Sequence, residues 1–380
     1  MLSQRSGWHT IWLVRPDGSE LRQLTQLSHD LYDIAWSPDG QQIACGLNRD
    51  GAVDLALVDV NSGELRVLRT SKGVHSRPCW AADGSFLTVE YESPLAPPDI
   101  FKVVLADKSV KQITSSNAPA LAALELLVPE RLYYRSFDGM EIPALLYRPA
   151  QPNGAAIVYP HGGPRDQYLY DWDIFAQYLV AKGYTFLAPD FRGSTGHGRA
   201  LELGNQGNWG VGDTKDVLAA ADVLAALDGI DATRIAIYGG SYGGYMVANC
   251  MARDPQYRFA CGVYKYGDAN LKSSWAQCER GTRLYTEMQM GDPALARAAY
   301  LAASPIGDTV HIKRPILLLH GLDDDVCPPQ STVEWVAELR RYNVTFEYKT
   351  YAGVAHGFIR RADVLDVYER IERFLDWYLL

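Results

Sequence analysis

Between Ile235 and Tyr245 an apolar, β-branched run breaks at a glycine pair and gives way to helix-forming residues, in the order Ile-Ala-Ile-Tyr-Gly-Gly-Ser-Tyr-Gly-Gly-Tyr. Few backbone paths satisfy that pattern. Gly239-x-Ser241-x-Gly243 suits a sharp strand-to-helix turn, the nucleophile elbow. A serine hydroxyl is a weak nucleophile at neutral pH, and such a turn lifts it clear of the main chain to where a base can reach it. Side chains two residues to either side would crowd the turn, and glycines stand at both positions. The helix predicted over 242–253, stopped by Asp254-Pro255, aims its N-terminal amides at any oxyanion that forms on the substrate.

The chain around this turn reads as strands alternating with helices. Short apolar strands are expected at 155–159, 185–188, 234–238, 315–319 and 345–350, and helices at 172–182, 213–227, 242–253, 329–342 and 364–379. Asp213 is placed to cap the second of these helices. A hairpin about Asp138-Gly139 precedes them. The alternation predicts a mostly parallel sheet with helices on both faces. Between 263 and 300 no pattern is readable.

Residues 1–118 differ, with short strands separated by Pro16-Asp-Gly, Pro38-Asp-Gly, Asn61-Ser-Gly and Ala82-Asp-Gly. Trp36-Ser-Pro-Asp-Gly40 recurs as Trp80-Ala-Ala-Asp-Gly84, and Leu21-Arg-Gln-Leu-Thr25 recurs as Leu65-Arg-Val-Leu-Arg69 and Val110-Lys-Gln-Ile-Thr114. A period of about 40–45 residues is that of propeller blades, with room here for about three. The sequence therefore divides into a small all-β region at 1–118, a linker at 119–127 and a catalytic α/β domain at 128–380.

Composition removes several classes of function. A net charge of −9 over 380 residues leaves no basic stripe for nucleic acid or an anionic membrane. The first residues lack an apolar leader segment and no apolar run reaches bilayer length, so the expected compartment is the cytoplasm and no membrane is expected as a partner. Cysteines 45, 79, 250, 261, 278 and 327 lack metal-ligand spacing, which points to reduced thiols and to no metal site.

In a parallel sheet, partners for Ser241 belong on loops leaving the C-terminal strand ends. Two loops qualify: His320-Gly-Leu-Asp-Asp-Asp-Val326, with three candidate carboxylates, and Ala352-Gly-Val-Ala-His356-Gly-Phe358. Serine, then aspartate, then histidine is the chain order of α/β-hydrolases. The histidine would take and return the hydroxyl proton while the carboxylate fixes its tautomer. His161-Gly-Gly-Pro164 follows an early strand, where a second oxyanion donor is needed beside the amide after the nucleophile. The glycine-rich Gly193-Ser-Thr-Gly-His-Gly198 has no phosphate-loop spacing and reads as packing near the sheet.

Taken in order, His161-Gly-Gly-Pro164, Pro189-Asp-Phe-Arg-Gly-Ser-Thr-Gly-His-Gly198, Trp209-Gly210, Gly239-Gly-Ser-Tyr-Gly-Gly-Tyr245, His320-Gly-Leu-Asp-Asp324 and His356-Gly-Phe358 make 128–380 resemble the prolyl oligopeptidase family of serine peptidases, in its acylaminoacyl-peptidase and dipeptidyl-peptidase-like branch. The resemblance implies an α/β-hydrolase fold and a triad of Ser241, Asp324 and His356. It also implies an oxyanion hole from the amides of Gly163 and Tyr242, with no cofactor. The implied reaction is cleavage of acyl bonds in short peptides or N-acylated amino acids through an acyl-enzyme; an esterase or transacylase on small acyl substrates is the alternative, and an inert scaffold a more distant one. The family carries complete propellers of about seven or eight blades, and its dipeptidyl-peptidase relatives a Glu-Glu pair that has no counterpart here. With about three blades the sheet edges need cover, so a homo-oligomer is expected.

Overall fold

A computed structural model describes residues 1–380, the side chain of Ala122 excepted, and the chain forms two compact units. The first comprises Met1–Glu130, Gln167–Gln177 and Thr195–Glu202; the second comprises Arg131–Asp166, Tyr178–Ser194 and Leu203–Leu380.

In the first unit, β1 (Leu2–Ser3), β2 (Thr10–Leu13) and β3 (Arg22–Gln23) form a small antiparallel sheet. An antiparallel meander follows, of β4 (Leu31–Trp36), β5 (Gln42–Arg49), β6 (Ala52–Asp59) and β7 (Leu65–Arg69). A second comprises β8 (Val74–Trp80), β9 (Phe86–Ser93), β10 (Ala96–Val104) and β11 (Val110–Gln112). One parallel pair, Val53 with Val74, joins the two meanders into an eight-stranded sheet. The sequence repeat is therefore a repeat of strands. Trp36 and Trp80 end the first strand of each meander, and the Leu-Arg motifs supply the last. Asp39 and Asp83 close the intervening turns, accepting hydrogen bonds from Ser37 Oγ and the Gln41 amide, and from the Ser85 amide and Oγ. Thr25 and Thr114 likewise hold equivalent amides, those of Ile11 and Ile100.

Strand periodicity sorts the core of this unit. Ile43, Cys45, Leu47, Ala56 and Val58 join one apolar cluster, while the alternate residues Ala44, Leu55 and Leu57 join another. Because β5 and β6 are covered on both faces, they read as continuous apolar runs. The expected linker continues past a 3-10 turn at Pro119–Ala123, and Leu127 is tied by its amide and carbonyl to the side chain of Gln177. Gly196 donates its amide to Asp30 Oδ2, and a Cβ on Gly198 would meet Trp8 at 3.1 Å. From Thr195 onward the glycine-rich loop is thus built into the β-rich unit, not the parallel sheet. Contacts distant in sequence decide that membership, so no single boundary near residue 128 separates the two units.

The remaining elements are β12 (Glu130–Arg135), β13 (Glu141–Tyr147), β14 (Ala156–Val158), α1 (Ile174–Ala181), β15 (Thr185–Pro189), α2 (Arg199–Glu202), α3 (Gly212–Ala225), β16 (Ile235–Gly240) and α4 (Tyr242–Arg253). They continue with β17 (Cys261–Lys265), α5 (Leu271–Gln277), α6 (Arg280–Met290), α7 (Arg297–Ala303), β18 (Ile316–Gly321), α8 (Pro329–Arg341), β19 (Phe346–Tyr351) and α9 (Arg361–Leu379). The sheet order is β12-β13-β15-β14-β16-β17-β18-β19, antiparallel between β13 and β15 and parallel from β15 to β19. This is the α/β-hydrolase arrangement expected from the sequence. Its central strands β14 to β18 are almost wholly buried, which is why they are short, apolar and β-branched. Among the described residues no helix is long and apolar enough to cross a membrane.

Asp213 does not cap α3. The residue before that helix is Val211, and Asp213 lies inside its first turn, fully buried, accepting the Tyr242 hydroxyl and the Gly210 amide. A tertiary partner for the carboxylate outcompeted the local capping role.

Candidate active site

Parallel strands bring their exits to one end of a sheet. Ser241 follows β16, Asp324 lies three residues beyond β18, and His356 lies five beyond β19. Ser241 occupies the elbow with φ 57° and ψ −124°, a strained conformation for a residue carrying a Cβ. Its amide donates to Lys265 O at 3.1 Å, which pins the turn to β17. A Cβ on Gly239 would lie 2.4 Å from Gly243 backbone, and one on Gly243 would lie 2.2 Å from Pro160 O. Backbone cannot yield as a flexible side chain can. Gly243→Ala is therefore expected to lower stability by about 2–3 kcal/mol, as overpacking does. Urea unfolding checks this, and a midpoint equal to that of the parent would contradict the packing described.

The three candidate residues from separate loops lie within hydrogen-bonding distance in series. Asp324 Oδ2 is 2.8 Å from His356 Nδ1, and His356 Nε2 is 3.0 Å from Ser241 Oγ. A carboxylate accepts only, so Nδ1 carries the proton, Nε2 is left as acceptor and the Ser241 hydroxyl donates. Asp324 is buried, and its Oδ1 also accepts the amides of Val326 and Cys327 at 3.0 and 2.8 Å. Burial pushes its carboxyl up, but hydrogen bonds from His320 and His356, the charge of His356 and the Cys327 amide outweigh burial and hold it below the usual aspartate range. Asp323 and Asp325 are exposed on either side of it.

Gly162 and Gly163 bring the loop after β14 against the elbow. A Cβ on Gly162 would stand 3.5 Å from Ser241 Cβ and 3.9 Å from Ser241 Oγ. Gly163 has φ +111°, where a side chain would meet the Arg165 amide at 2.7 Å. His161 braces this loop from behind: its ring stacks on Phe191 at 4.4 Å, with Nε2 2.7 Å from Ser194 Oγ. Tyr242, the first residue of α4, is fixed by its side chain. Its hydroxyl donates to Asp213 and accepts from Asn205 Nδ2, while its ring meets Trp209 edge-on at 5.1 Å. Main-chain amides held this firmly are suited to an anionic oxygen.

Residues without a motif complete the surroundings. Tyr266, at φ 33°, sets its ring edge-on to His356 with centroids 4.9 Å apart, and its hydroxyl lies 3.0 Å from where a Gly240 Cβ would be. Burial pushes its phenol up to about 12. Neither Tyr266 nor β17 carries a signal that sequence reading could have used, because Cys261-Gly-Val-Tyr-Lys is short and contains glycine.

The model of the prolyl oligopeptidase family matches residues 170–380. The acylamino-acid-releasing enzyme of Sus scrofa is 26% identical over 342 residues, covering 84% of this chain and 46% of the relative. The chain thus spans about half the length of the curated relatives it matches. A solved puromycin hydrolase superposes with TM-score 0.85 at 25% identity, covering 96% of this chain and 57% of that one. A puromycin-hydrolyzing peptidase of Mycobacterium tuberculosis superposes with TM-score 0.89 over the whole chain and 59% of its own, at 24% identity, a likeness of fold alone. With the family model covering more than half of its length, and its sheet and loops arranged as described, the chain belongs to the prolyl oligopeptidase family.

Proposed function

We propose that this protein is a serine peptidase that cleaves acyl bonds of short peptides or N-acylated amino acids through an acyl-enzyme. The observation that carries the reading is the run of hydrogen bonds from Asp324 through His356 to Ser241 on the strained elbow. Ser241 Oγ attacks the carbonyl carbon while His356 Nε2 takes its proton, and Asp324 holds the resulting imidazolium. The negative oxygen of the tetrahedral intermediate is received by the amides of Gly163 and Tyr242. His356 then returns the proton to the departing amine, and water repeats the sequence on the acyl-Ser241 ester. The name of the porcine relative supports the N-acyl preference. A fluorophosphonate probe should label Ser241, and turnover on N-acyl-peptidyl anilides should exceed that on aminoacyl anilides and p-nitrophenyl esters. Labelling without anilide turnover, but with ester turnover, would replace the peptidase reading with that of an esterase.

The same proposal includes self-association. Strand β11 ends the eight-stranded sheet with all three of its residues exposed, and Ile113 beside it is 53% exposed. Open edges of this kind recruit other strands. Sedimentation at micromolar concentration should give a species heavier than the 42.2 kDa chain, and a monodisperse monomer would end the idea.

A further inference from the structure

Asp324 has a second histidine beside it, against the same carboxylate oxygen that meets His356. His320 is fully buried near the end of β18, with Nε2 2.8 Å from Cys327 O and 3.5 Å from Asp324 Oδ2. Its Nδ1 is 2.8 Å from Thr332 Oγ1 on α8, which is 2.9 Å from the Tyr264 hydroxyl on β17, and that hydroxyl contacts Gly267 O. The series begins at one main-chain carbonyl and ends at another. Neither carbonyl can donate, so its four contacts require four protons. Threonine and tyrosine supply one each. A neutral imidazole supplies one more, which leaves one buried pair facing lone pair to lone pair; an imidazolium supplies two, and every contact is then a hydrogen bond.

We infer that His320 is a resident imidazolium, paired with the Asp324 oxygen that also meets His356 and oriented by Thr332 and Tyr264. The charged and titratable groups that face it are few. Asp324 and Cys327 come from the loop after β18, Tyr264 and Asp268 from β17 and the loop beyond it, and His356 shares Asp324 Oδ2 with it. Asp268, whose buried carboxyl is pushed up to about 6 by burial, is the other acid whose charge interacts with His320. The ion pair compensates a buried carboxylate that would otherwise be costly to keep charged. It also places a fixed positive charge near His356. That charge opposes a second proton on His356, and so keeps the general base neutral further into acid. His320 is thus a positioning residue acting through Asp324.

The effect on rate rests on the catalytic reading of Ser241, His356 and Asp324, whereas the protonation state does not. Neutron diffraction from deuterium-exchanged crystals of the full chain should show density for a deuteron on both ring nitrogens of His320. A single deuteron would overturn the inference, whether or not the protein turns over substrate. In solution, His320→Gln removes the charge and keeps an amide donor. The acid limb of kcat/KM should then move to higher pH by on the order of one unit, the size of a charge effect across a few ångströms of protein. A change in kcat with the limb unmoved would reduce His320 to packing and overturn its electrostatic role. If the glutamine variant does not fold, the neutron map alone decides.

Discussion

Ser241→Ala is expected to lower kcat by a factor on the order of 10⁴ or more while the fold persists. The substitution removes the one oxygen that bonds to the acyl carbon and leaves the amides of the elbow and of the Gly162-Gly163 loop where they are. Stability should barely change. Alanine carries the same Cβ as serine, so the strain at φ 57° is the same in both, and the lost hydroxyl made its bond to an imidazole that is still 23% exposed. Turnover of an anilide or ester substrate, set beside thermal unfolding of the same sample, separates the two effects. Activity near that of the parent in a well-folded variant would remove Ser241 from the mechanism.

The second large effect distinguishes three neighbouring carboxylates. Asp324→Asn should also cost a factor on the order of 10⁴ in kcat, because an amide facing His356 Nδ1 can donate to it, favours the tautomer with the proton on Nε2 and cannot hold an imidazolium. Asp323→Asn and Asp325→Asn should keep most activity, since both side chains are exposed. A dead Asp325→Asn beside an active Asp324→Asn would contradict the geometry. The same substitution has a signature in stability. The folded-state carboxyl of Asp324 is held below the range of an unfolded aspartate, about 3.9. The native state then gains from its ionisation above that pH, and the gain disappears as pH falls through the lower, folded value. The stability difference between parent and Asp324→Asn, read from urea unfolding, should be full at neutral pH and shrink only in acid below about pH 4. A difference that instead grew in acid would mean that the folded carboxyl is raised.

Much of this molecule is legible from local sequence. The glycines at 239 and 243 announce the elbow because backbone lies where their side chains would be, a requirement that survives any tertiary context. The helix at 242–253 and the buried strands other than β17 carry periodicity and stop signals strong enough to read unaided, and the repeated Trp and Asp-Gly positions mark the strand repeat of the first unit. Local signals failed where a distant partner outbid them. Asp213 has the look of a helix cap, yet the buried hydroxyl of Tyr242 took its carboxylate; the glycine-rich loop at 193–198 reads as sheet packing, yet Asp30 and Trp8 draw most of it into the β-rich unit. Of the helices between 271 and 303, α5 and α7 are only seven residues long, about two turns, too short for an apolar period to repeat.

The sequence by itself determined which residue types could do the chemistry and on which strand exits they stand, since strand, turn and helix signals are local properties of the chain. Among three consecutive aspartates the residue types alone chose none, and only the family resemblance pointed to Asp324; that a second histidine also meets its Oδ2, only the tertiary structure decided. Hydrogen bonds among the β16 elbow, β17, β18, the β19 loop and α8 form between residues up to 115 positions apart, and no local pattern records the direction in which a buried side chain will find its partner.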